Sequence, residues 1–331
     1  MVGMEYARLP RFKQSAAIAP LRLTARDHEI LRHVHSHRFL RSNHLTALLP
    51  GSRQQLLRRL QRLYHHGHLE RPRCQIDYYH RGGSRAIAYG LGNNGAELLK
   101  RELSHPFHRL DWSSKNKVER MFLEHALMVS DVMVSLELAC RKHPDIRLLS
   151  PDDLILPPGA PKLCEPFQWT VSLGNRVKCG VIPDRFFGIE FTGRAGPEQR
   201  SWFCLEADRA TMPIMRQDLA KSSFYRKLLA YEATWTQNIH RSRFGFHRFR
   251  VLTVTTSPDR VKHFVDACRA LSRGQGLFLF TDIASMNKHG DILTLPWQTG
   301  RSGGVESLIP ATSVAQTTNA ERDIHDLQQH R

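Results

Sequence analysis

Residues 42–67 read SNHLTALLPGSRQQLLRRLQRLYHHG, and this stretch decides the fold of the first third of the chain. It predicts two short helices, because Ser42 and Ser52 are residue types that cap helix N-termini and leucines recur behind each at helical spacing. Pro50-Gly51 ends the first helix and Gly67 ends the second. The result is a helix, a tight turn and a second helix.

The segment before this stretch, LTARDHEILRHVHSHRFL, predicts another helix. Thr24 and Asp27 have the spacing of a capping box, and Ile30, Leu31 and Val34 form one apolar stripe. Three helices with a tight turn before the third are typical of a helix-turn-helix.

The outer face of the third helix is basic and rich in amides. Arginine and glutamine pair bidentately with guanine and adenine edges, which makes this helix a candidate recognition helix. A solvated cationic face is the alternative. The candidate contacts are Arg53, Gln54, Arg58, Arg59 and Arg62.

The segment HLERPRCQIDYYHRGGSRAIAYGLG alternates apolar and polar residues on both sides of Gly82-Gly83, which predicts a β-hairpin. A basic hairpin after a recognition helix indicates a winged helix. Its candidate DNA contacts are Arg71, Arg73, Arg81 and Arg85.

The charge distribution favours a polyanionic partner. The chain carries a net charge of +17, of which residues 1–110 supply +12, with 19 Lys and Arg against 7 Asp and Glu. Nucleic acid is the first partner that such an asymmetry indicates, and an anionic membrane surface is the second.

The run Gly90-Leu91-Gly92-Asn93-Asn94-Gly95 matches the G-x-G-x-x-G pattern of dinucleotide-binding proteins. That pattern is informative only between a core strand and a helix, with a second strand soon after. Here the preceding strand is the return strand of the hairpin, and the polar SHPFHRLDWSSKNK follows the helix. We therefore expect the glycines to join hairpin and helix, and no dinucleotide to bind.

The remainder predicts a mixed α/β domain that opens with the amphipathic helix 117–143. Strands are expected at 146–150, 167–173, 178–190, 200–208, 249–256 and 276–284, with helices at 217–235 and 258–271. The whole chain is thus α+β: an arm (1–20, flexible), a winged helix (21–110), an α/β domain (111–295) and a disordered tail (296–331).

Three carboxylates could share one edge of this second sheet. Asp184 belongs to VIPDRFFGIE, while Glu206 and Asp208 are two residues apart and project from one face of WFCLEADRAT. Clustered carboxylates repel unless a cation intervenes, so the three are candidate Mg²⁺ ligands. Pairing with arginines such as Arg185 or Arg209 is the alternative.

This arrangement resembles the Pro-Asp and Asp/Glu-x-Lys signature of the restriction-endonuclease-like nuclease fold. Asp208 stands where that signature has its lysine. Under the resemblance, the catalytic group consists of Asp184, Glu206 and Asp208 with Lys221, or Lys227, supplying the cation and Mg²⁺ as cofactor.

Four segments taken in order resemble the bacterial replication-relaxation family over about residues 20–260: LTARDHEILRHVHSHRFLRSNHLTALL, LLRRLQRLYHHGHLERP, AYGLGNNGAELL and IPDRFFGIE…FCLEADRAT. The resemblance implies a winged-helix DNA-binding protein of plasmids and mobile elements, acting in replication, relaxation or transfer.

Neither a membrane-spanning stretch nor a signal peptide is evident, and six single cysteines lack any C-x-x-C pair. We expect a cytoplasmic protein whose partner is double-stranded DNA, with a second copy or replication and transfer proteins as further partners. A metal-dependent endonuclease and a protein adaptor for acidic partners are the alternative functions.

Overall fold

The computed structural model describes residues 9–15, 18–76, 86–102, 118–161, 167–173, 177–193, 199–218, 220–301 and 303–309. The chain forms two compact units, Met1–Val134 and Ser135–Arg331. The division falls later than the predicted boundary at residue 110, because the first half of a long helix belongs to the N-terminal unit.

The N-terminal unit contains short helices and one three-stranded antiparallel sheet. Its strands are arranged in the order β1-β3-β2. Its elements are α1 (Ala25–His37), β1 (Phe39–Arg41), α2 (Ser42–Leu48), α3 (Arg53–His65), β2 (Leu69–Glu70), β3 (Ala88–Leu91) and α4 (Asn93–Glu102).

Local signals in the sequence account for where these helices begin. At α1, the Thr24 backbone N–H donates to Asp27 over 2.7 Å, which completes the predicted capping box. At α3, the side chain of Ser52 accepts from the backbone N–H of Gln55. The stripes of α1 and α3, including Ile30 and Leu60, are fully buried and form the core.

A side chain extends the short β2–β3 pairing. Gln75 donates from Nε2 to the Ala88 carbonyl over 3.0 Å, and its Oε1 accepts from the Ala88 N–H over 2.7 Å. The amide thus supplies the two hydrogen bonds that a neighbouring strand would supply. Residues 77–85, which include the predicted hairpin tip, lie outside the described residues.

The chain before α1 lies along α3 and hydrogen-bonds to it, within the region 1–20 for which the sequence predicts a flexible arm; residues 1–8, 16 and 17 lie outside the described residues. We call residues 9–15 and 18–24 the N-terminal arm. Its backbone carbonyls at Arg11, Ala19, Pro20 and Arg22 all accept hydrogen bonds from side chains of α3 and the residues that follow it. The arm has no regular secondary structure, so hydrophobic periodicity gave no indication of it.

The C-terminal unit is built on a seven-stranded mixed sheet and a separate two-stranded ribbon. Helix α5 (Arg120–Lys142) is divided between the two units, and its residues from Ser135 onward belong to the C-terminal unit. The further elements are β4 (Ile146–Leu149), β5 (Trp169–Leu173), β6 (Val177–Val181), β7 (Arg185–Phe191), β8 (Arg200–Ala207), α6 (Phe224–Thr236), α7 (Ile239–Ser242), β9 (Phe249–Thr255), α8 (Pro258–Cys268), β10 (Phe278–Asp282), α9 (Ile283–His289), β11 (Trp297–Thr299) and β12 (Val305–Glu306).

The large sheet has the order β12-β11-β10-β9-β8-β7-β4, and β5 pairs with β6 in the ribbon. Strands β4, β7 and β8 form an antiparallel meander. Strand β9 then returns parallel to β8 through α6, and β10 is parallel to β9. Aromatic and aliphatic side chains of α6 and α8 pack on one face of this sheet.

The structure of this unit differs from the sequence prediction in its strands and in its tail. The expected strand 178–190 is divided into β6 and β7, because Ile182-Pro183-Asp184 interrupts it. The predicted start of the disordered tail, residue 296, is also too early in the chain. Strands β11 and β12 extend the sheet beyond it, and Trp297 is fully buried. Residues 310–331 lie outside the described residues.

No helix in the described part of the chain is both long enough and apolar enough to cross a membrane.

Candidate functional site

The outward face of α3 carries exposed polar and positively charged side chains. Arg53, Gln54 and Arg58 are exposed. Arg53 and Arg58 have no ion-pair partner among the described residues. The side chain of Gln54 forms no hydrogen bond with any described residue. These side chains are available to a ligand.

Two of the other predicted contacts on α3, the part-buried Arg59 and the exposed Arg62, donate hydrogen bonds to other parts of the N-terminal unit. Arg59 forms a bidentate ion pair with the fully buried Asp27 and donates to the Arg22 carbonyl over 2.5 Å. Hydrogen bonds from Arg59 and Thr24 outweigh the effect of burial and lower the pKa of Asp27. Arg62 donates to the Pro20 carbonyl over 2.7 Å. Their guanidinium groups hold α1 and the N-terminal arm.

Arg71 lies in the interior, which corrects its assignment to a DNA-contacting wing. It is only 6% exposed, and its guanidinium carbon lies 4.1 Å from the ring centre of Tyr64 and 5.2 Å from that of Tyr89. It also donates to the Arg11 carbonyl over 2.6 Å. Arg73 is exposed two residues later, whereas Arg81 and Arg85 lie outside the described residues.

The glycine run joins β3 to α4, as predicted. Gly92 N–H donates to the His68 carbonyl over 2.9 Å, and Asn94 N–H donates to the Gly67 carbonyl over 3.2 Å. A Cβ at Gly92 would lie 2.2 Å from the Gly67 oxygen. The glycines therefore allow two backbone segments to touch, and these N–H groups are occupied rather than directed at a phosphate. The region where a dinucleotide fold needs its second strand, 103–117, is not described.

The three predicted carboxylates meet at the end of β8, but each is in a different environment. Asp184, just before β7, accepts the backbone N–H of Ala207 over 2.8 Å. Glu206 is 2% exposed and accepts from Lys227 Nζ over 2.5 Å and from the Tyr231 hydroxyl over 2.6 Å. Both oxygens of Glu206 thus have donors from α6.

Of the two lysines that the sequence predicts as the cation, Lys221 and Lys227, the one next to these carboxylates is Lys227. Helix α6 begins at Phe224, later than predicted, because Ser223 caps it and accepts from the Arg226 N–H. Lys221 is exposed before the helix, while Lys227 lies one turn inside it. Burial acts to lower the pKa of Lys227, but the charges of Glu206 and Asp184 outweigh this and raise it.

Asp208 pairs with a different cation, Arg260. Arg260 is not among the partners that the sequence predicts for Asp208. Arg260 of α8 donates from Nε and from Nη2 to the two Asp208 oxygens over 2.6 and 2.9 Å. The Thr255 hydroxyl adds a third bond of 2.7 Å. Asp208 is 8% exposed, so this ion pair is largely shielded from water.

A family model described as replication-relaxation matches residues 31–247. The chain belongs to the replication-relaxation family. The match spans α3, the glycine junction, Asp184, Glu206 and Lys227, while Arg260 lies beyond it. Membership suggests a role in plasmid or mobile-element replication or relaxation. No curated protein and no solved structure matches the chain.

Two of the three carboxylates of this replication-relaxation protein, Glu206 and Asp208, do not fit the Mg²⁺ site that the nuclease resemblance implies. Magnesium needs carboxylate oxygens free to coordinate it. The oxygens of Glu206 already accept from Lys227 and Tyr231, and those of Asp208 accept from Arg260. Protein cations therefore supply the charge compensation that a metal would supply.

A cavity of about 300 Å³ opens beside Glu206 in this family member. It lies between β6 and α6, and its lining includes Lys227, Arg226, Ser222 and Tyr231. Tyr231 stays protonated, because burial and the charge of Glu206 raise its pKa well above the ordinary value. The sequence gave no indication of this tyrosine, whose partner is 25 residues away along the chain.

Proposed function

We propose that this replication-relaxation protein binds duplex DNA through a winged helix in its N-terminal unit. The observation that carries the proposal is the outer face of α3, where Arg53, Gln54 and Arg58 are exposed. An α-helix fits the major groove of B-DNA, and these side-chain types read guanine and adenine edges there.

The order of elements supports the winged-helix interpretation. Helices α1, α2 and α3 are followed by the antiparallel pair β2–β3, with β1 completing the sheet. Only Leu49–Ser52 separate α2 from α3, which is the tight turn of a helix-turn-helix. The excess of positive charge in residues 1–110 supplies long-range attraction to phosphate.

We expect Arg53→Ala and Arg58→Ala to weaken binding to the preferred duplex by about 1–3 kcal/mol each, because each loses a base or phosphate contact. Melting temperature should stay unchanged, since neither side chain has an internal partner among the described residues. Titration of the full chain with labelled duplexes over a range of salt concentrations measures the effect.

Two variants serve as controls. Lys100→Ala removes one exposed positive charge from α4 and should leave affinity nearly unchanged. Arg59→Ala should lower the melting temperature, because it leaves the buried Asp27 without its cation. If both α3 variants bind as the wild type does, the assignment of α3 is wrong.

The C-terminal unit suggests a second candidate, a DNA endonuclease. The observation in its favour is the meander β4–β7–β8 followed by α6 and the parallel β9, with Asp184, Glu206 and Lys227 at the end of β8. Against it, two of the three carboxylates already have hydrogen-bond donors. Glu206 accepts from Lys227 and Tyr231, and Asp208 accepts from Arg260. We propose that this unit is a scaffold that contacts a partner, the DNA or a second copy.

We expect no multiple-turnover nicking or linearisation of supercoiled plasmid with Mg²⁺ or Mn²⁺. Asp184→Ala and Glu206→Ala should reduce thermal stability and leave duplex binding intact. The endonuclease interpretation is correct instead if the wild type cleaves plasmid, and if both variants lose cleavage while they retain binding and fold.

A further inference from the structure

The N-terminal arm is attached to α3 through its backbone rather than through its charged side chains. The carbonyls of Pro20 and Arg22 accept from Arg62 and Arg59. Farther along, His66 donates to the Ala19 carbonyl over 3.1 Å. The arm thus follows α3 from its middle towards its C-terminal end.

The attachment continues at the last residues of α3 and beyond them. The backbone N–H of Ser15 donates to Nδ1 of His65 over 3.1 Å, and Gln14 donates to the Tyr64 carbonyl over 3.1 Å. The buried guanidinium of Arg71 holds the Arg11 carbonyl. Residues 16 and 17 between the two parts of the arm are outside the described residues.

This mode of attachment leaves two cations of the arm directed to solvent. Lys13 and Arg22 are both exposed. Within the described ranges, neither side chain has a hydrogen-bond or ion-pair partner. Among the described residues, the arm is therefore a segment held by hydrogen bonds that presents two exposed positive charges.

The arm runs beside the face of α3 that is proposed to enter the major groove. Successive helix residues are 100° apart, so Arg58 lies next to Arg59, which holds the arm. A helix with its side chains is about 10–12 Å wide, and the major groove is about 12 Å wide. Whatever flanks the helix in the groove consequently meets the phosphate backbone.

We infer that the N-terminal arm is a second DNA-contacting element, in which Lys13 and Arg22 bind backbone phosphates beside the groove that receives α3. This rests on the proposed function, since it requires that α3 binds duplex DNA. Phosphate contacts of this kind position the protein and carry no sequence information. The arm should therefore add affinity equally for every sequence.

The test is the salt dependence of duplex binding by the full chain with Lys13→Gln and Arg22→Gln combined. Each lost phosphate contact lowers the slope of log K against log salt by about 0.9, so the double variant should lose about 1.8 from the slope. Its dissociation constant should rise by the same factor on preferred and unrelated duplexes. Its melting temperature should match that of the wild type, because backbone groups hold the arm.

The control is Lys100→Gln with Arg101→Gln, which removes the same charge from the exposed end of α4. This control should keep the wild-type slope. The inference is overturned if the arm variant also keeps the wild-type slope, or if the control loses as much slope as the arm variant. If the wild type binds no duplex at low salt, both the proposed function and the inference about the arm are wrong. If the α3 variants lose affinity but the arm variant does not, only the inference about the arm is wrong.

Discussion

Gly92→Ala should destabilise the N-terminal unit by about 3 kcal/mol or more, a cost at the upper end of that for overpacked positions. The new Cβ would lie 2.2 Å from the Gly67 oxygen and 2.9 Å from the Gly67 carbonyl carbon. Both atoms are backbone, so no rotamer change relieves the clash. Separation of the segments would also break the bond from Gly92 N–H to the His68 carbonyl. Denaturant unfolding measures the loss.

Gly180→Ala is the matched control for this substitution. A Cβ at Gly180 meets no atom within 4 Å. Its stability should remain within about 0.5 kcal/mol of the wild type, as for most surface substitutions. If Gly92→Ala is equally harmless, the close approach of residues 67 and 92 is not a feature of the folded protein.

The second large effect is expected at the ion pair between Asp208 and Arg260. Asp208→Ala should cost about 3–5 kcal/mol, because it leaves a mostly buried guanidinium without its counter-ion. Among the described residues, Arg260 would keep its hydrogen bond to the Met212 carbonyl and its position over the Phe264 ring, neither of which supplies a negative charge. Unfolding of the C-terminal unit, followed by tryptophan fluorescence in denaturant, measures this cost.

The double variant Asp208→Ala/Arg260→Met separates loss of the pair from loss of a single charge. Replacement of both partners by apolar groups removes the unpaired charge, so the double variant should be more stable than Asp208→Ala alone. Equal or lower stability of the double variant contradicts the coupling. In that case Asp208 has another role than to pair with Arg260.

The elements that the sequence predicted well are those with local causes. Ser52 and the leucine repeat of α3 act within one helix, and the boundaries of α3 follow from them. The same holds for the junction at Gly92, where residue type and position between a strand and a helix were sufficient. The family resemblance, which rested on ordered local segments, is confirmed by the match over residues 31–247.

The predictions that failed depend on contacts between residues far apart in the chain. Lys227 and Lys221 could not be distinguished until the start of α6 was fixed at Phe224. Arg260 reaches Asp208 from 52 positions away, and Arg71 turns inward because two tyrosines enclose it. Net charge and residue type alone do not separate such internal arginines from those that face a ligand.

Strand β11 also affects how this protein behaves when it is shortened. It pairs with β10 through Leu279 and Phe280, and both of these residues are fully buried. A chain that ends at residue 295 would leave β10 as an apolar edge with unpaired backbone groups, which is a template for association with other chains. We therefore expect β11 and β12 to shield this edge from association with other chains, although the polar composition of residues 296–309 suggests a dispensable tail.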